Sequence, residues 1–482
     1  MLFNSFSFLA FLFAVVLVFY LLPHRFRWPL LLLVSYVFYA SWRAEALLLL
    51  LAITLVSYLG ALAMRWWPAR ARATLTAGIL IDLGALIAFK YVNFLSASLE
   101  QLLELVPSAG AVALPELNLL LPAGLSFYTF SAVSYLIDVY RGKVEPERRL
   151  GPFALYVAFF PKIFAGPIER ARTFLPQLGQ RVSFPADRMA EGLYLFLWGL
   201  FKKVVIADRL GVFVDAAYGM PAYAPTVDLV VAVYFYAFQI YCDFSGYTDM
   251  ARGMARLFGI DLMENFKRPY LAKSAGEFWG QRWHLSLATW FRDYMYIPMG
   301  GSRVAWPRYY FNLMAVFAVS GLWHGAGWTF VVWGALNGLY RWIEVATARL
   351  WGRLGGWLPG AKNSPLLGAV RIVLTFHLIT FAWIFFRAPS IAAAWTVITR
   401  VAGSLPMLPR MFQAYRYGPE LVLSVILIAF LLLVEALDER TDLWERIRVK
   451  PTAIRWAYAY LLIFGLLIFG KWGLAQFIYM QF

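Results

Sequence analysis

Apolar runs of about twenty residues, separated by short basic loops, recur along most of this chain, and that is the length an α-helix needs to cross the hydrocarbon core of a bilayer. Of the 482 residues, 62% are hydrophobic and only 15% are charged, whereas roughly a quarter of the residues of a soluble protein are charged. The sequence therefore predicts an all-α polytopic membrane protein with about ten or eleven transmembrane helices, plus shorter re-entrant or amphipathic helices. The predicted spans are residues 1–22, 28–40, 44–64, 74–95, 117–140, 191–218, 227–258, 311–345, 367–386, 421–437 and 453–479.

The net charge of +16 comes mainly from basic residues in the loops between the apolar runs. In a membrane protein such residues set the topology, because Lys and Arg are enriched in cytosolic loops, and they also contact membrane lipid. The loops around Arg25, Arg70 and Arg148 are basic, and the loops between them carry only Arg43. We therefore predict that the N-terminus lies outside the cytosol, that these three basic loops lie inside, and that no nucleic acid is bound.

A histidine lies near the middle of the apolar run of residues 311–339. His324 is flanked by Trp323 and by three glycines, Gly321, Gly325 and Gly327. An ionisable group at bilayer depth is costly and by default marks a functional site. A neutral imidazole is also suited to take a proton from a hydroxyl group near pH 7. The alternative is a histidine that only joins two packed helices, and the run itself fits either one tilted helix or a broken pair.

Two stretches in the middle of the chain do not fit a spanning helix. Residues 153–164 are apolar but short, and Pro161 and Pro167 interrupt the end of this run. A re-entrant or interfacial helix fits this pattern, because irregular backbone at membrane depth needs cover from protein. Residues 267–308 are rich in Trp, Tyr and Arg, which predicts an amphipathic helix plus a loop at the membrane surface.

Within this surface stretch, residues 277–286 combine carboxylate, amide, guanidinium and imidazole groups. Glu277, Gln281 and His284 have the spacing i, i+4, i+7, which places them on one face of a predicted helix. The same segment carries Trp279, Arg282 and Trp283. Aromatic rings with arginine fit an anchor at the membrane surface, and they fit equally a site for the phosphates of an acyl-CoA, which arginine binds well.

Polar side chains also interrupt the predicted helix of residues 227–258. Two carboxylates in an apolar helix must face a cavity or a cation. Cys242, Ser245 and Asp249 share one helical face, and Asp249 can pair with Arg252. Asp243 is the second carboxylate. A salt-bridged helix and a polar channel lining both fit this pattern.

The cysteine and histidine content restricts metal chemistry. Cys242 is the single cysteine, so an internal disulfide and a cysteine-rich metal cluster are excluded. The four histidines, at positions 24, 284, 324 and 377, have no spacing typical of metal ligands, and we expect no metal site. We expect Cys242 to be a small buried residue.

Several motifs together resemble the membrane-bound O-acyltransferase family, in particular the branch that O-acetylates bacterial polysaccharides. The pair His284 and His324, each preceded by a tryptophan, is similar to the histidine pair of that family. The other motifs lie at residues 160–168 (FPKIFAGPI), 198–211 (WGLFKKVVIADRLG), 241–251 (YCDFSGYTDMA), 264–270 (ENFKRPY) and 290–298 (WFRDYMYIP). The similarity runs from the N-terminus to about residue 345, and Cys242 replaces the phenylalanine expected before the Asp-Phe-Ser-Gly sequence.

The resemblance implies a ring of tilted helices around a central channel, with a funnel on each side of the membrane. It implies one membrane domain of residues 1–482, with N-terminal helices in 1–140, a catalytic core at about 150–345 and C-terminal helices in 365–482. His324 would be the principal catalytic histidine and His284 the second. The residues expected to bind the donor or line the channel are Arg282, Trp283, Trp279, Asp243, Ser245, Asp249 and Trp323.

The resulting hypothesis is an O-acetyltransferase of the bacterial inner membrane that modifies an exported, alginate-like polysaccharide. Cytosolic acetyl-CoA would be the acyl donor, and the acyl group would pass across the membrane to a separate periplasmic acyltransferase. His324 would activate the attacking hydroxyl as a general base, or would itself carry the acyl group. Teichoic acid D-alanylation and peptidoglycan O-acetylation are alternatives within the family. A transporter or flippase is the alternative of another class, although the sequence shows no internal repeat.

Overall fold

The computed structural model describes residues 1–105, 114, 116–117, 119–182, 186–357, 364–441, 443–473 and 477–480. Over these residues the chain is α-helical, without a named β-strand, and an isolated antiparallel bridge joins Phe266 and Trp283. The predicted all-α class is confirmed. Two compact units can be distinguished: Met1–Leu193 with Ala251–Met263 and Tyr479–Phe482, and Tyr194–Met250 with Glu264–Ile478. The single membrane domain stays a prediction.

Seven helices of the described part of the chain are long and apolar enough to cross a membrane, as expected for a multi-pass membrane protein. Six of them overlap predicted spans. The seventh, Ile391–Ala414, was not predicted, because Arg400 and Pro406 interrupt its apolar pattern. The other six are Ala46–Trp66, Pro68–Lys90, Thr226–Leu257, Pro365–Arg387, Pro419–Thr441 and Thr452–Phe469.

The remaining helices are shorter or less apolar. Residues 117–140, predicted as one span, fold as a helix only from Leu125, and residue 118 lies outside the described part. In the predicted span 453–479 the helix ends at Phe469. Residues 474–476 of this span lie outside the described part of the chain. The other helices of at least nine residues are Phe6–Leu21, His24–Ala40, Val92–Glu104, Leu125–Tyr140, Leu150–Ala158, Ala186–Phe201, Asp208–Gly219, Trp306–His324 and Trp328–Trp357.

Three basic loops lie at one end of the first unit. Arg65 is ion-paired with Glu145, and the Tyr58 hydroxyl donates to the backbone oxygen of Arg148 at 2.6 Å. The Trp28 ring covers Gly151 so closely that a Cβ atom would not fit there. The basic segments at residues 23–28, 65–70 and 141–151, each at a junction between helices, are therefore on the same side.

The N-terminus lies at the other end of the same helices. The Met1 amino group donates to the Ser41 hydroxyl at 3.3 Å, and the Tyr39 hydroxyl donates to the backbone oxygen of Ala123 at 3.1 Å. Successive helix connections in this unit therefore alternate between its two ends, as the spacing of the basic loops predicts. Which end faces the cytosol stays a prediction.

The apolar run that carries His324 folds as a broken pair of helices. Trp306–His324 ends at the histidine, residues 325–327 are extended or bent, and Trp328–Trp357 follows. The two helices pack closely because Gly321 and Gly334 carry no side chain: a Cβ atom on Gly334 would collide with the Phe317 carbonyl oxygen. His324 is thus placed at a helix end, where the backbone leaves the helical path.

The predicted helical face of Glu277, Gln281 and His284 is wrong. A π-helical turn, Phe278–Arg282, follows Glu277, and Trp283 is extended. His284 has a φ of 46° in the left-handed region, and a new helix, Leu285–Phe291, begins after it. The Phe266–Trp283 bridge and the full burial of Trp283 override the local helical preference, which tertiary contacts often do.

Candidate active site

Two histidines from separate stretches lie side by side in the second unit. His284 is 2% exposed and His324 is 3% exposed, and their ring centroids are 6.2 Å apart. The Trp323 ring contacts both, at 5.8 Å from His284 and 5.0 Å from His324. The structure therefore brings together three of the residues that the sequence singled out.

His284 is enclosed by aromatic rings. Phe244 meets its imidazole edge-on at 4.7 Å between centroids, and Phe266 lies parallel to it at 6.5 Å. His284 is outside the seven helices that are long and apolar enough to cross a membrane, and burial lowers the pKa of its imidazole to about 3. The ring is therefore neutral near pH 7. A group with so low a pKa is a weak base but can donate one hydrogen bond and accept another.

His324 has a different set of neighbours, contributed by two later helices. Trp333 meets the imidazole edge-on at 5.0 Å and Phe386 at 5.4 Å. Trp383 stacks on Trp333 at 5.5 Å and so continues this wall. On one side His324 faces His284 and Trp323, and on another it faces a closely packed aromatic wall.

Carboxylates already hold the arginine predicted to bind the donor. The Arg282 guanidinium donates to Glu277 at 2.7 Å and to Glu439 at 2.8 Å. Arg268 pairs with Asp438 at 2.5 Å and with Glu439 at 2.6 Å. The two arginines therefore form one ion-paired network, and an anionic ligand would have to compete with three carboxylates.

Trp279 and Trp283, which were expected to bind the donor or line the channel, pack within the second unit. Trp283 is fully buried and stacks on Phe278 at 5.3 Å. The Trp279 indole donates to the side-chain oxygen of Asn337 at 3.0 Å and packs edge-on against Trp333 at 5.3 Å. Both rings thus support the aromatic wall behind His324.

The aspartates of the long helix Thr226–Leu257 face lysines. Lys203 bridges Asp243 at 2.6 Å and Asp208 at 2.7 Å, and Lys202 pairs with Asp249 at 2.6 Å. Both lysines lie in a π-helical turn, Lys202–Ala207. The sequence allowed these carboxylates to face either a cavity or a cation, and in the structure they face a cation.

Ser245 is fully buried, and its neighbour Phe244 contacts His284. The sequence reasoning did not single out Phe244, Trp333, Phe386 or Asn265. Asn265 carries a signal only as part of the ENFKRPY motif. Phe244 likewise lies in the YCDFSGYTDMA motif, whereas Trp333 and Phe386 lie in no motif and resemble the aromatic residues common in every span.

Comparisons with a family model and with individual proteins point to the same family. Residues 149–379, which include both histidines, match the membrane-bound O-acyltransferase family. The chain is 40% identical over 401 residues to the probable alginate O-acetylase AlgI of Pseudomonas aeruginosa, covering 82% of this chain and 74% of that protein.

Two further relatives extend this result. The probable alginate O-acetylase AlgI of Azotobacter vinelandii is 40% identical over 78% of this chain and 73% of its own length. The peptidoglycan O-acetyltransferase of Helicobacter pylori is 33% identical over 77% of this chain and 73% of its own length.

Proposed function

We propose, from the premise that the chain belongs to the membrane-bound O-acyltransferase family, that it O-acetylates an exported polysaccharide. As a member of this family the chain is an O-acyltransferase, which removes the transporter hypothesis. Identity to the alginate O-acetylases is 39–40%, against 33% to the peptidoglycan O-acetyltransferase. This difference favours an alginate-like polymer over peptidoglycan as the final acceptor.

The observation that supports the mechanism best is the pair of buried imidazoles, 6.2 Å apart between centroids. His324 is the general base: it takes the proton of the attacking hydroxyl as the oxygen bonds to the thioester carbonyl carbon. The C–S bond then breaks, and the proton passes from His324 to the leaving thiolate. His284, kept neutral by burial, donates a hydrogen bond to the carbonyl oxygen on which charge develops.

The acyl donor in this proposal is acetyl-CoA, which enters from the cytosol. Arg268 and Arg282 lie within two residues of the bridge that leads to His284, and they are tied to Asp438 and Glu439. The segment that follows these carboxylates is net basic: Arg440, Arg446, Arg448 and Lys450 outnumber Asp442 and Glu445. One of the four, Arg448, pairs with Glu445 at 2.8 Å. Such a cluster attracts the phosphates of the donor, and arginine binds them in bidentate fashion.

The acceptor in this proposal is a separate periplasmic acyltransferase, which passes the acyl group on to the polysaccharide. Acetyl-CoA is cytosolic, whereas an exported polymer is modified outside. The rings of Trp323, Trp333 and Phe386 pack around His324 at 5.0–5.4 Å between centroids. A polymer strand is too bulky for so closely packed a site, whereas a single serine or similar hydroxyl could reach within about 3 Å of the base.

Reconstitution tests the donor and the relay together. The purified protein is placed in vesicles with labelled acetyl-CoA on the side of the basic loops and alginate on the other side. We expect little polymer acetylation until a periplasmic partner is added, and then stoichiometric CoA release. Efficient acetylation of the polymer by this chain alone would remove the relay. Transfer from a D-alanyl carrier protein but not from acetyl-CoA would replace the proposed donor.

A further inference from the structure

His284 adopts a backbone conformation that side-chain-bearing residues rarely take. Its φ is 46° and its ψ is 54°, in the left-handed region where a Cβ atom crowds the backbone. Such a conformation persists only where surrounding contacts enforce it, and it is often found at functional sites. The contacts that enforce it here come from both sides of the residue.

On the N-terminal side, the antiparallel bridge between Phe266 and Trp283 fixes the chain. The Lys267 amide donates to the backbone oxygen of Arg282 at 2.8 Å. On the C-terminal side, Asn265 makes two contacts. Its backbone oxygen accepts from the Leu285 amide at 3.0 Å, and its side-chain oxygen accepts from the Ser286 amide at 3.1 Å.

These two contacts perform the task of a helix cap. His284 is the N-cap of the helix Leu285–Phe291, but its side chain makes no capping hydrogen bond. The first amides of a helix lack partners within the helix, and the N-cap side chain usually supplies one. Asn265, 1% exposed and remote in sequence, supplies the acceptors for Leu285 and Ser286 instead. The imidazole of His284 is thereby available to lie against Trp323 and His324.

We propose that Asn265 is the positioning residue of the active site, which caps this helix in place of His284 and holds the imidazole in register with His324. The inference rests on the proposed role of His284 in acyl transfer. Asn265 itself touches neither reacting group, and its effect is transmitted through the backbone of residues 283–286.

The test compares Asn265→Ala with a matched control, Asn312→Ala. Asn312 is also fully buried, and its side chain donates to the backbone oxygen of Met299 at 3.0 Å. We expect Asn265→Ala to lower kcat for acetyl transfer about 10–10²-fold with little change in the KM for acetyl-CoA, because a misplacement of about 1 Å is enough. Asn312→Ala should lower thermal stability by a similar amount and leave kcat near wild type. Asn265→Asp, which retains an acceptor oxygen, should recover part of the activity.

A second readout does not depend on activity. Diethyl pyrocarbonate modifies accessible imidazoles, and mass spectrometry measures the rate at His284. We expect slow modification in the wild type and in Asn312→Ala, and faster modification in Asn265→Ala. Wild-type kcat and slow modification in Asn265→Ala would overturn the proposal, as would equal losses of kcat in both variants. Full activity in His284→Ala would instead refute the proposed role of His284, while the modification rates still decide whether Asn265 positions it.

Discussion

At the scale of single residues, the two histidines differ in what surrounds them. His284 is held by Phe244 and Phe266, and burial depresses the pKa of its imidazole to about 3. His324 borders the break between two helices. The proposed mechanism gives His284 the role of a neutral hydrogen-bond donor, since a group with so low a pKa is a weak base, and it assigns the base to His324.

The depressed pKa of His284 predicts a pH dependence of stability. Below the ordinary pKa of about 6.5 the unfolded chain binds a proton at His284 that the folded chain does not. This proton linkage therefore costs no stability above about pH 6.5, and it lowers the free energy of unfolding as the pH drops toward 3. We expect the melting temperature of the detergent-solubilised protein to decline less between about pH 7 and 5 in His284→Asn than in the wild type. His377→Asn is the control, and equal slopes in all three proteins would contradict the prediction.

Replacing Lys203 by an uncharged side chain should destabilise the protein strongly. It is 1% exposed and bridges Asp208 and Asp243. Lys203→Met leaves two buried carboxylates without their cation, and removing one partner of a buried ion pair typically costs about 3–5 kcal/mol. Thermal unfolding in detergent should show this loss, and the exposed control Lys143→Met should not. A melting temperature within one or two degrees of wild type would be the opposite result.

Much of the candidate site was predictable, because the chemistry of single side chains is visible in the sequence. An imidazole in an apolar run pointed to His324, and a dense polar segment pointed to His284. The partners of Asp243 and Asp249 were not predictable, since Lys202 and Lys203 lie on another helix. Asn265 acts through a contact between residues far apart in sequence, which no local pattern encodes.

At the scale of helices, the close approach of Trp306–His324 and Trp328–Trp357 depends on two glycines. Added to Gly334, a Cβ atom would meet the Phe317 carbonyl oxygen, a backbone atom that cannot move aside. We expect Gly334→Ala to destabilise the protein by about 1–3 kcal/mol, the usual range for overpacking, and to lower acyl transfer by shifting His324. Both are measured on the same purified sample.

Gly403→Ala is the matched control, since Gly403 also lies in a helix and has no neighbour within 4 Å of an added Cβ atom. It should keep both stability and activity. Unchanged stability and activity in Gly334→Ala as well would show that the two helices can separate without affecting the site.

Long apolar helices were predicted well because hydrophobic length alone defines them. Thr226–Leu257 differs by one residue at each end from the predicted 227–258. The shared helical face of Glu277, Gln281 and His284 was predicted wrongly, because the π-helical turn and the left-handed His284 arise from tertiary contacts. The break after His324 was one of two alternatives, and Gly325 and Gly327 were its only signal.

At the scale of the whole molecule, the distribution of basic loops predicts the orientation in the membrane. The basic segments at residues 23–28, 65–70 and 141–151 share one end of the first unit, and the N-terminus lies at the other. In a Cys242→Ser background, an impermeant maleimide added outside cells should label Arg43→Cys and leave Glu145→Cys unlabelled until the membrane is opened. Both side chains are exposed, and the reverse pattern would invert the topology.

His324 carries the chemistry in the proposed mechanism, and its removal is the most direct test. Vesicles with equal amounts of folded wild-type, His324→Ala and His377→Ala protein are given labelled acetyl-CoA and the acceptor protein, and acetyl transfer is timed. We expect His324→Ala to be slower by about 10²–10⁴-fold, the typical contribution of a general base, and His377→Ala to match the wild type. A well-folded His324→Ala protein with the wild-type rate would contradict the mechanism and leave His324 only a packing role.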